Sequence, residues 1–287
     1  MQTTRVPVAE GVELAVDSWA PAGAASPPGP PFLLVHGLAS NARLWDGVAE
    51  RLVEHGHRVA SVDLRGHGRS SKPEAPYDVA TVADDLASVA SGLGLDHPIV
   101  AGQSWGGNVV LELGARHPGV VRGVVCVDGG WLEPSRSFAS WEACRDALAP
   151  PRLAGRHLDQ IEGYIRSAHP DWPEAGILGT LANFEVRPDG TIAPWLTYER
   201  HLVVLRGLFD HHPSERYPAV GVPVLLVPAD TGAAAWSERK RVDVDRAQAA
   251  LPVARTRWLG GDHDIHAQHP VELADMMSDM TRDGFFS

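Results

Sequence analysis

Phe32 to Val35 is a continuous apolar run, shorter or interrupted apolar runs recur at Val59 to Val62, Ile99 to Gly102, Val120 to Val127 and Val222 to Val227, and Val253 to Leu259, with Trp258 and Leu259 apolar, reads as the last strand. Runs of this kind are the pattern of strands buried on both faces. Between them, apolar residues fall three and four apart, which is helical spacing. Ser40-Asn41 can cap a helix to about His55 with Leu44, Val48, Leu52 and Val53 on its inner face. Asp78 to Ser91 places Val82, Leu86 and Val89 on one stripe, and Gly107 to His117, Ser237 to Leu251 and Pro270 to Thr281 read as further helices. Ahead of these lie two short strands, Val6 to Val8 and Val12 to Trp19, around Glu10-Gly11, and then a loop from Pro21 to Pro30 rich in proline and glycine. The whole predicts an α/β fold: a mostly parallel eight-stranded sheet flanked by helices, with right-handed crossovers.

The alternation breaks from Trp131 to about Tyr217. Helix-like pieces replace it at Phe138 to Leu148, Leu158 to Ala168, Ile177 to Phe184 and Tyr198 to Phe209, with a turn at Arg187 to Thr191. The expected organisation is a core of residues 1–130 and 218–287 with a helical cap, 131–217, inserted after the sixth strand. Trp131, Trp141, Trp172 and Trp195 fall in the cap, where each can wall an apolar cavity or pack the cap's own core.

In a parallel sheet, ligands bind beyond the carboxyl ends of the strands. His36-Gly37, Asp63, Ser104 and Asp128 each follow a predicted strand directly, so they converge on one edge. Gly102-Gln103-Ser104-Trp105-Gly106 lies between a strand and a helix, the context of a nucleophile elbow. A serine hydroxyl needs a base within hydrogen-bond reach and a third group to orient that base. His263, on the glycine-rich loop after the last strand, is the candidate base. Asp128 and Asp230 both lie between Ser104 and His263, so either can be the acid.

Composition narrows the partners. The chain has 287 residues and a net charge of −11, which argues against nucleic acid and anionic membrane surfaces. No apolar run approaches the roughly 20 residues of a membrane span. The first residues lack a basic region followed by an apolar block, so the expected compartment is the cytoplasm. Cys126 and Cys144 make no disulfide framework, and Cys126 reads as a small core residue. His263 and His266 stand three apart rather than four and lack the glutamate of the zinc-binding helix pattern, which argues against a metal. His201, His211 and His212 read as polar surface or pocket lining.

Four stretches together resemble the α/β-hydrolase-fold family in its capped serine hydrolase form: His36-Gly37-Leu38, Asp63 to Ser70, Gly102 to Gly107, and Gly261-Asp262-His263 with Pro270 seven residues on. The resemblance spans nearly the whole chain. It implies Ser104 as nucleophile, His263 as base, and an oxyanion hole from the backbone N–H groups of Leu38 and Trp105. It also implies a brace for the neighbouring loop from Asp63, Arg65 and Gly66, and no cofactor. Leu38, Trp105 and Trp131 are the expected pocket residues. The chain departs from the family where relatives often carry the acid, because Gly232 occupies that position. Asp128, followed by two glycines, is therefore preferred over Asp230. The expected substrate is a small, largely apolar ester or lactone. Carbon–carbon bond hydrolysis, aminopeptidase action, perhydrolysis and a non-turnover small-molecule receptor are the alternatives. Oligomeric state is not legible.

Overall fold

The four residues Phe32 to Val35 have no solvent exposure and divide by parity between two cores. Phe32 and Leu34 pack with Trp45, Val48, Leu52, Ile99, Val125, Leu225, Leu273 and Met277 on one side. Leu33 and Val35 pack with Val82, Leu86, Val100, Val109, Leu113 and Val124 on the other. This two-sided burial, together with period-two side-chain alternation, is why the run is continuous rather than alternating.

The computed structural model describes residues 1–23 and 29–287. The loop read at Pro21 to Pro30 lies partly, at 24–28, outside the described residues. The strands are β1 (Gln2–Ala9), β2 (Val12–Trp19), β3 (Gly29–Val35), β4 (His57–Val62), β5 (Ile99–Gln103), β6 (Gly123–Val127), β7 (Phe184–Val186), β8 (Ile192–Pro194), β9 (Val224–Val227), β10 (Ala229–Asp230), β11 (Ala254–Thr256) and β12 (Leu259–Gly260). The helices are α1 (Asp46–Glu54), α2 (Val79–Gly92), α3 (Trp105–Arg116), α4 (Pro134–Ser137), α5 (Trp141–Leu148), α6 (Leu158–Ala168), α7 (Glu174–Leu181), α8 (Tyr198–Phe209), α9 (Pro213–Arg216), α10 (Ala234–Ala250), α11 (Ile265–Gln268) and α12 (Pro270–Arg282).

Eight strands form one sheet in the order β1-β2-β4-β3-β5-β6-β9-β11. The β1–β2 and β2–β4 pairs are antiparallel and the rest are parallel. The expected last strand is divided. Pro228 has no N–H to give a ladder, so β9 stops at Val227 and a separate pair, β10 with β12, continues beyond it. The helix expected from Ser40-Asn41 begins as a 3₁₀ turn, Ala42–Trp45, with the Asn41 side chain accepting the Arg43 N–H at 2.8 Å.

Between β6 and β9 the chain forms α4 to α9 and the two-stranded β7–β8 hairpin. That hairpin corrects the reading of a helix through Phe184. The expected turn at Arg187 to Thr191 is present, but it joins two three-residue strands, too short for the hydrophobic pattern to register. Ile161, Ile165, Trp172, Ile177 and Ile192 make this segment's own core together with Leu44 and Ala267 of the neighbouring loops. The side-chain amide of Asn41 donates to Gly179 O at 2.9 Å, and Trp172 Nε1–H donates to Asp262 at 3.1 Å. The segment is thereby fastened beside the loops that follow β3 and β12.

Candidate active site

Ser104 is the single residue between β5 and α3, with φ 54° and ψ −122°. A non-glycine residue holds such a conformation only when its surroundings over-determine it. Here they do. The Ser104 N–H donates to Val127 O at 2.9 Å, tying the turn to β6. A Cβ on Gly102 would lie 2.2 Å from Gly106 O, and one on Gly106 would lie 2.4 Å from His36 O. Only glycine permits strand, helix and the β3 loop to approach so closely. The serine stands partly exposed at the N-terminus of α3, where the helix dipole favours negative charge.

His263 and Asp128 come together from 135 residues apart. His263 Nδ1 lies 2.6 Å from Asp128 Oδ2. A carboxylate only accepts, so Nδ1 carries the proton and Nε2 keeps its lone pair. The His263 loop is held to the elbow by Gln103, whose side-chain amide donates to His263 O at 3.0 Å. Among the described residues no hydrogen bond joins Ser104 Oγ to the imidazole; such bonds are often long until substrate is bound. Asp128 has φ 42°, a turn made together with Gly130 at φ 83°. Its buried carboxylate also accepts from the Ala229 N–H at 2.9 Å and from Lys240 Nζ at 2.7 Å. Burial alone would push the Asp128 carboxyl up. The hydrogen bond from His263 and the charges of His263 and Lys240 outweigh that and hold it below the usual carboxylate range. For His263, the surrounding protein pushes the imidazole down, while the Asp128 hydrogen bond and the charges of Asp264 and Asp128 carry it above the ordinary value.

Asp230 is placed elsewhere. Its carboxylate accepts from the Gly232 N–H at 3.0 Å and from Ser237 Oγ at 2.8 Å, and it lies 3.5 Å from Arg241. These contacts tie the side chain to the loop before α10 and to side chains of α10, and none of them goes to His263.

The loop after β3 is set by His36. Leu64 N–H donates to Nε2 at 3.0 Å, so Nδ1–H donates to Gly37 O at 2.7 Å. Burial lowers this imidazole to about 4, so it stays neutral and keeps that tautomer. Gly37 C=O and Leu38 N–H belong to one planar peptide and point oppositely. Pulling the carbonyl toward His36 therefore turns the Leu38 N–H away from it. Asp63 braces the same loop by accepting from the Ala42 N–H at 2.8 Å and from Arg69 at 2.9 Å. Arg65 is buried in a two-pronged pair with Asp85 at 2.5 and 2.6 Å, which anchors the Asp63 to Ser70 turn to α2.

Two cavities lie nearby, one reaching the β3 loop at Ala39 and Ser40 and the other reaching Asp128 and His263, with Ser104 on the wall of neither. The larger, about 450 Å³, lies between the inserted segment and the β3 loop. Its wall includes Ala39, Ser40, Leu153, Phe184, Trp195 and Leu196, with Arg152, Arg187, Glu199 and His201 as polar members. The smaller, about 250 Å³, is lined by Asp128, Trp131, Leu132, Thr231, Lys240 and His263. Of the three expected pocket residues, Trp131 lines the smaller cavity. Leu38 packs against the core beside the larger one without forming its wall. Trp105 is fully buried, its ring stacked on His67 with ring centres 5.5 Å apart, and it lines neither cavity.

His266 is buried with neither ring nitrogen hydrogen bonded and its ring 4.6 Å from Trp45. Among the described residues no group of three or more His, Cys, Asp or Glu is arranged to hold a metal ion. His211 and His212 pair with Glu112 and Glu133 at 3.5 and 3.2 Å, joining the inserted segment to α3 and to its own first turn. Lys240 was not legible as a site residue. It stands in a run of charged residues, Glu238 to Arg241, and nothing in that run marks one lysine as turned inward.

Residues 30–155 match a family described as having the alpha/beta hydrolase fold. The chain is 31% identical over 252 residues to 2-(acetamidomethylene)succinate hydrolase of Mesorhizobium japonicum, covering 84% of each. A crystal structure of E-2-(acetamidomethylene)succinate hydrolase superposes with a TM-score of 0.77 at 24% identity, covering 97% of this chain and 98% of that one. A thioesterase domain from the curacin biosynthetic pathway gives 0.73 at 21% identity, covering 96% and 98%. The two structural likenesses speak to fold; the sequence relative speaks to family. Among the described residues no helix is long and apolar enough to cross a membrane.

Proposed function

Since this chain belongs to the α/β-hydrolase-fold family, we propose that it is a serine hydrolase that splits a small carboxylic ester or lactone through an acyl-enzyme. The observation that carries the reading is the 2.6 Å bond from His263 to a buried Asp128, behind a serine held at φ 54° on a strand-to-helix turn.

Ser104 Oγ attacks the carbonyl while its proton passes to His263 Nε2. Asp128 keeps the imidazole in the required tautomer and stabilises the imidazolium. The negative oxygen of the tetrahedral intermediate rests on the Leu38 and Trp105 amides, which need no reorganisation because the His36 bond and the α3 N-terminus hold them in place. The proton then goes to the leaving alkoxide, and water, deprotonated by the same nitrogen, frees the acid. Residues 131–217 act as the cap, and the mainly apolar wall of the larger cavity accepts the apolar part of the substrate.

A second reading is hydrolysis of an acyl-nitrogen bond in a carboxylate-bearing substrate. The relative's name states a succinate carrying an acetamidomethylene group, and Arg152 and Arg187 stand on the wall of the larger cavity. Mixing enzyme with a p-nitrophenyl ester tests the common chemistry: a burst of one equivalent and an acyl mass on Ser104 are expected. Lack of both would contradict the reading. Comparing kcat/KM for apolar esters, lactones and N-acylated enamine dicarboxylates then separates the two substrate classes.

A further inference from the structure

Lys240 reaches the site from α10, and its ammonium donates to Asp128 Oδ1 at 2.7 Å and to Ala229 O at 2.8 Å. Both partners are sequestered: the lysine side chain is 11% exposed and the aspartate side chain 4%. An ammonium on a flexible four-carbon stem is costly to withdraw from water unless it is paired, so an inward-turned lysine marks a definite position. The α10 cation that follows it, Arg241, instead lies over the Trp258 ring at 4.6 Å. Asp128 thus carries a cation on one oxygen and the imidazole on the other.

We propose that Lys240 is a positioning residue of this active site, clamping the far oxygen of Asp128 and drawing off part of the charge with which that carboxylate holds a proton on His263. The inference rests on the Ser104–His263 chemistry proposed above and adds the group that tunes it. Without the cation, Oδ1 keeps only the Ala229 N–H, so Asp128 is less firmly aimed and is the stronger partner for the imidazolium. With it, Oδ2 is aimed at Nδ1 and His263 releases its proton more readily. Asp264, on its own loop, favours the imidazolium, and Asp262 of the same loop faces His169 of the inserted segment at 3.5 Å. His36 after β3 and His266 of α11 are lowered by burial to about 4 and about 3 and stay neutral at working pH. Lys240 is the cation among the described residues that opposes Asp128 and Asp264 at this ring.

The test is kcat/KM against pH with a p-nitrophenyl ester for wild type, Lys240→Met, Lys240→Arg and the pair Asp128→Asn with and without Lys240→Met. A separate aliquot of each protein, not used for kinetics, is first treated with a fluorophosphonate. Absence of label on wild-type Ser104 overturns the hydrolase reading itself, whereas labelled proteins leave the lysine question separate. Lys240→Met is expected to move the acid limb about one pH unit upward. It is also expected to lower kcat between tenfold and a hundredfold, by misaligning the base, with KM within about twofold. Lys240→Arg restores the wild-type limb. In the Asp128→Asn background Lys240→Met moves the limb by less than half as much, the remainder being the direct charge of Lys240 on the ring. Should Lys240→Met lack the native circular dichroism spectrum, Lys240→Ala with and without added propylammonium replaces it, and recovery of the wild-type limb is expected. A natively folded, labelled Met or Ala variant whose acid limb coincides with wild type overturns the proposal. So does a shift that is undiminished once Asp128 is neutral.

Discussion

Two aspartates stood as candidates for one role, and the hydrogen bonds each makes separate them. Asp128 gives one oxygen to His263 at 2.6 Å and the other to Lys240 and the Ala229 amide. Asp230 spends its oxygens on Gly232, Ser237 and Arg241. Asp128→Asn is therefore expected to lower kcat on an ester roughly 10³- to 10⁴-fold by favouring the wrong imidazole tautomer. Asp230→Asn should stay within about threefold in kcat and lose only about 0.5–1.5 kcal/mol of stability through its weakened hydrogen bonds to Gly232 and Ser237. Parallel kinetics and urea melts on the two variants read this directly. His263 must be neutral to accept the serine proton, and its pKa is raised by Asp128 and Asp264. The acid limb of kcat/KM should then fall above the ordinary imidazole value of about 6.5, with activity lost as pH drops through it. A limb well below that value would contradict the assignment of the base.

At the scale of elements, the elbow depends on backbones approaching closer than any side chain allows. Gly102→Ala forces a methyl to 2.2 Å from Gly106 O. It should destabilise the protein by about 2–4 kcal/mol, visible as a fall in the urea midpoint. The elbow was legible because its constraint is local: a strand, two glycines, a serine and a helix all lie within a few positions of sequence. The turn after β3 was legible for the same reason, through His36-Gly37. The acid was not settled, because choosing it requires knowing which loop end meets His263, a contact across 135 residues. The division of the last strand followed from Pro228 acting on its partner's ladder, which single-strand patterns do not register. The β7–β8 hairpin escaped because three-residue strands carry too little period to outweigh neighbouring helix formers. Lys240 escaped because a charged run in a polar helix reads as a solvated face, and only the tertiary placement of α10 turns one of its cations inward.

For the whole molecule, several imidazoles are folded into places that disfavour charge. His36 and His201 are lowered by burial to about 4 and His266 to about 3, and His67 is lowered in the same direction. Each has a folded pKa below its unfolded value of about 6.5, so between those values the unfolded chain binds more protons. Stability is therefore expected to be full above about pH 6.5 and to fall as pH drops toward 4, by up to about 1.4 kcal/mol per pH unit for each group. Urea midpoints from pH 8 to pH 4.5 check the sign. His266→Leu, which removes a ring with no hydrogen-bond partner, should flatten that decline and raise the midpoint more at pH 5 than at pH 8.

The central claim is that the Gly102 to Gly106 turn presents a nucleophile. Its most direct measurement is Ser104→Ala, with turnover of a p-nitrophenyl ester read beside circular dichroism and the urea midpoint. The account predicts an unchanged fold, no fluorophosphonate label and a fall in kcat of at least about 10⁴-fold. Turnover within tenfold of wild type by the correctly folded Ala variant would contradict it.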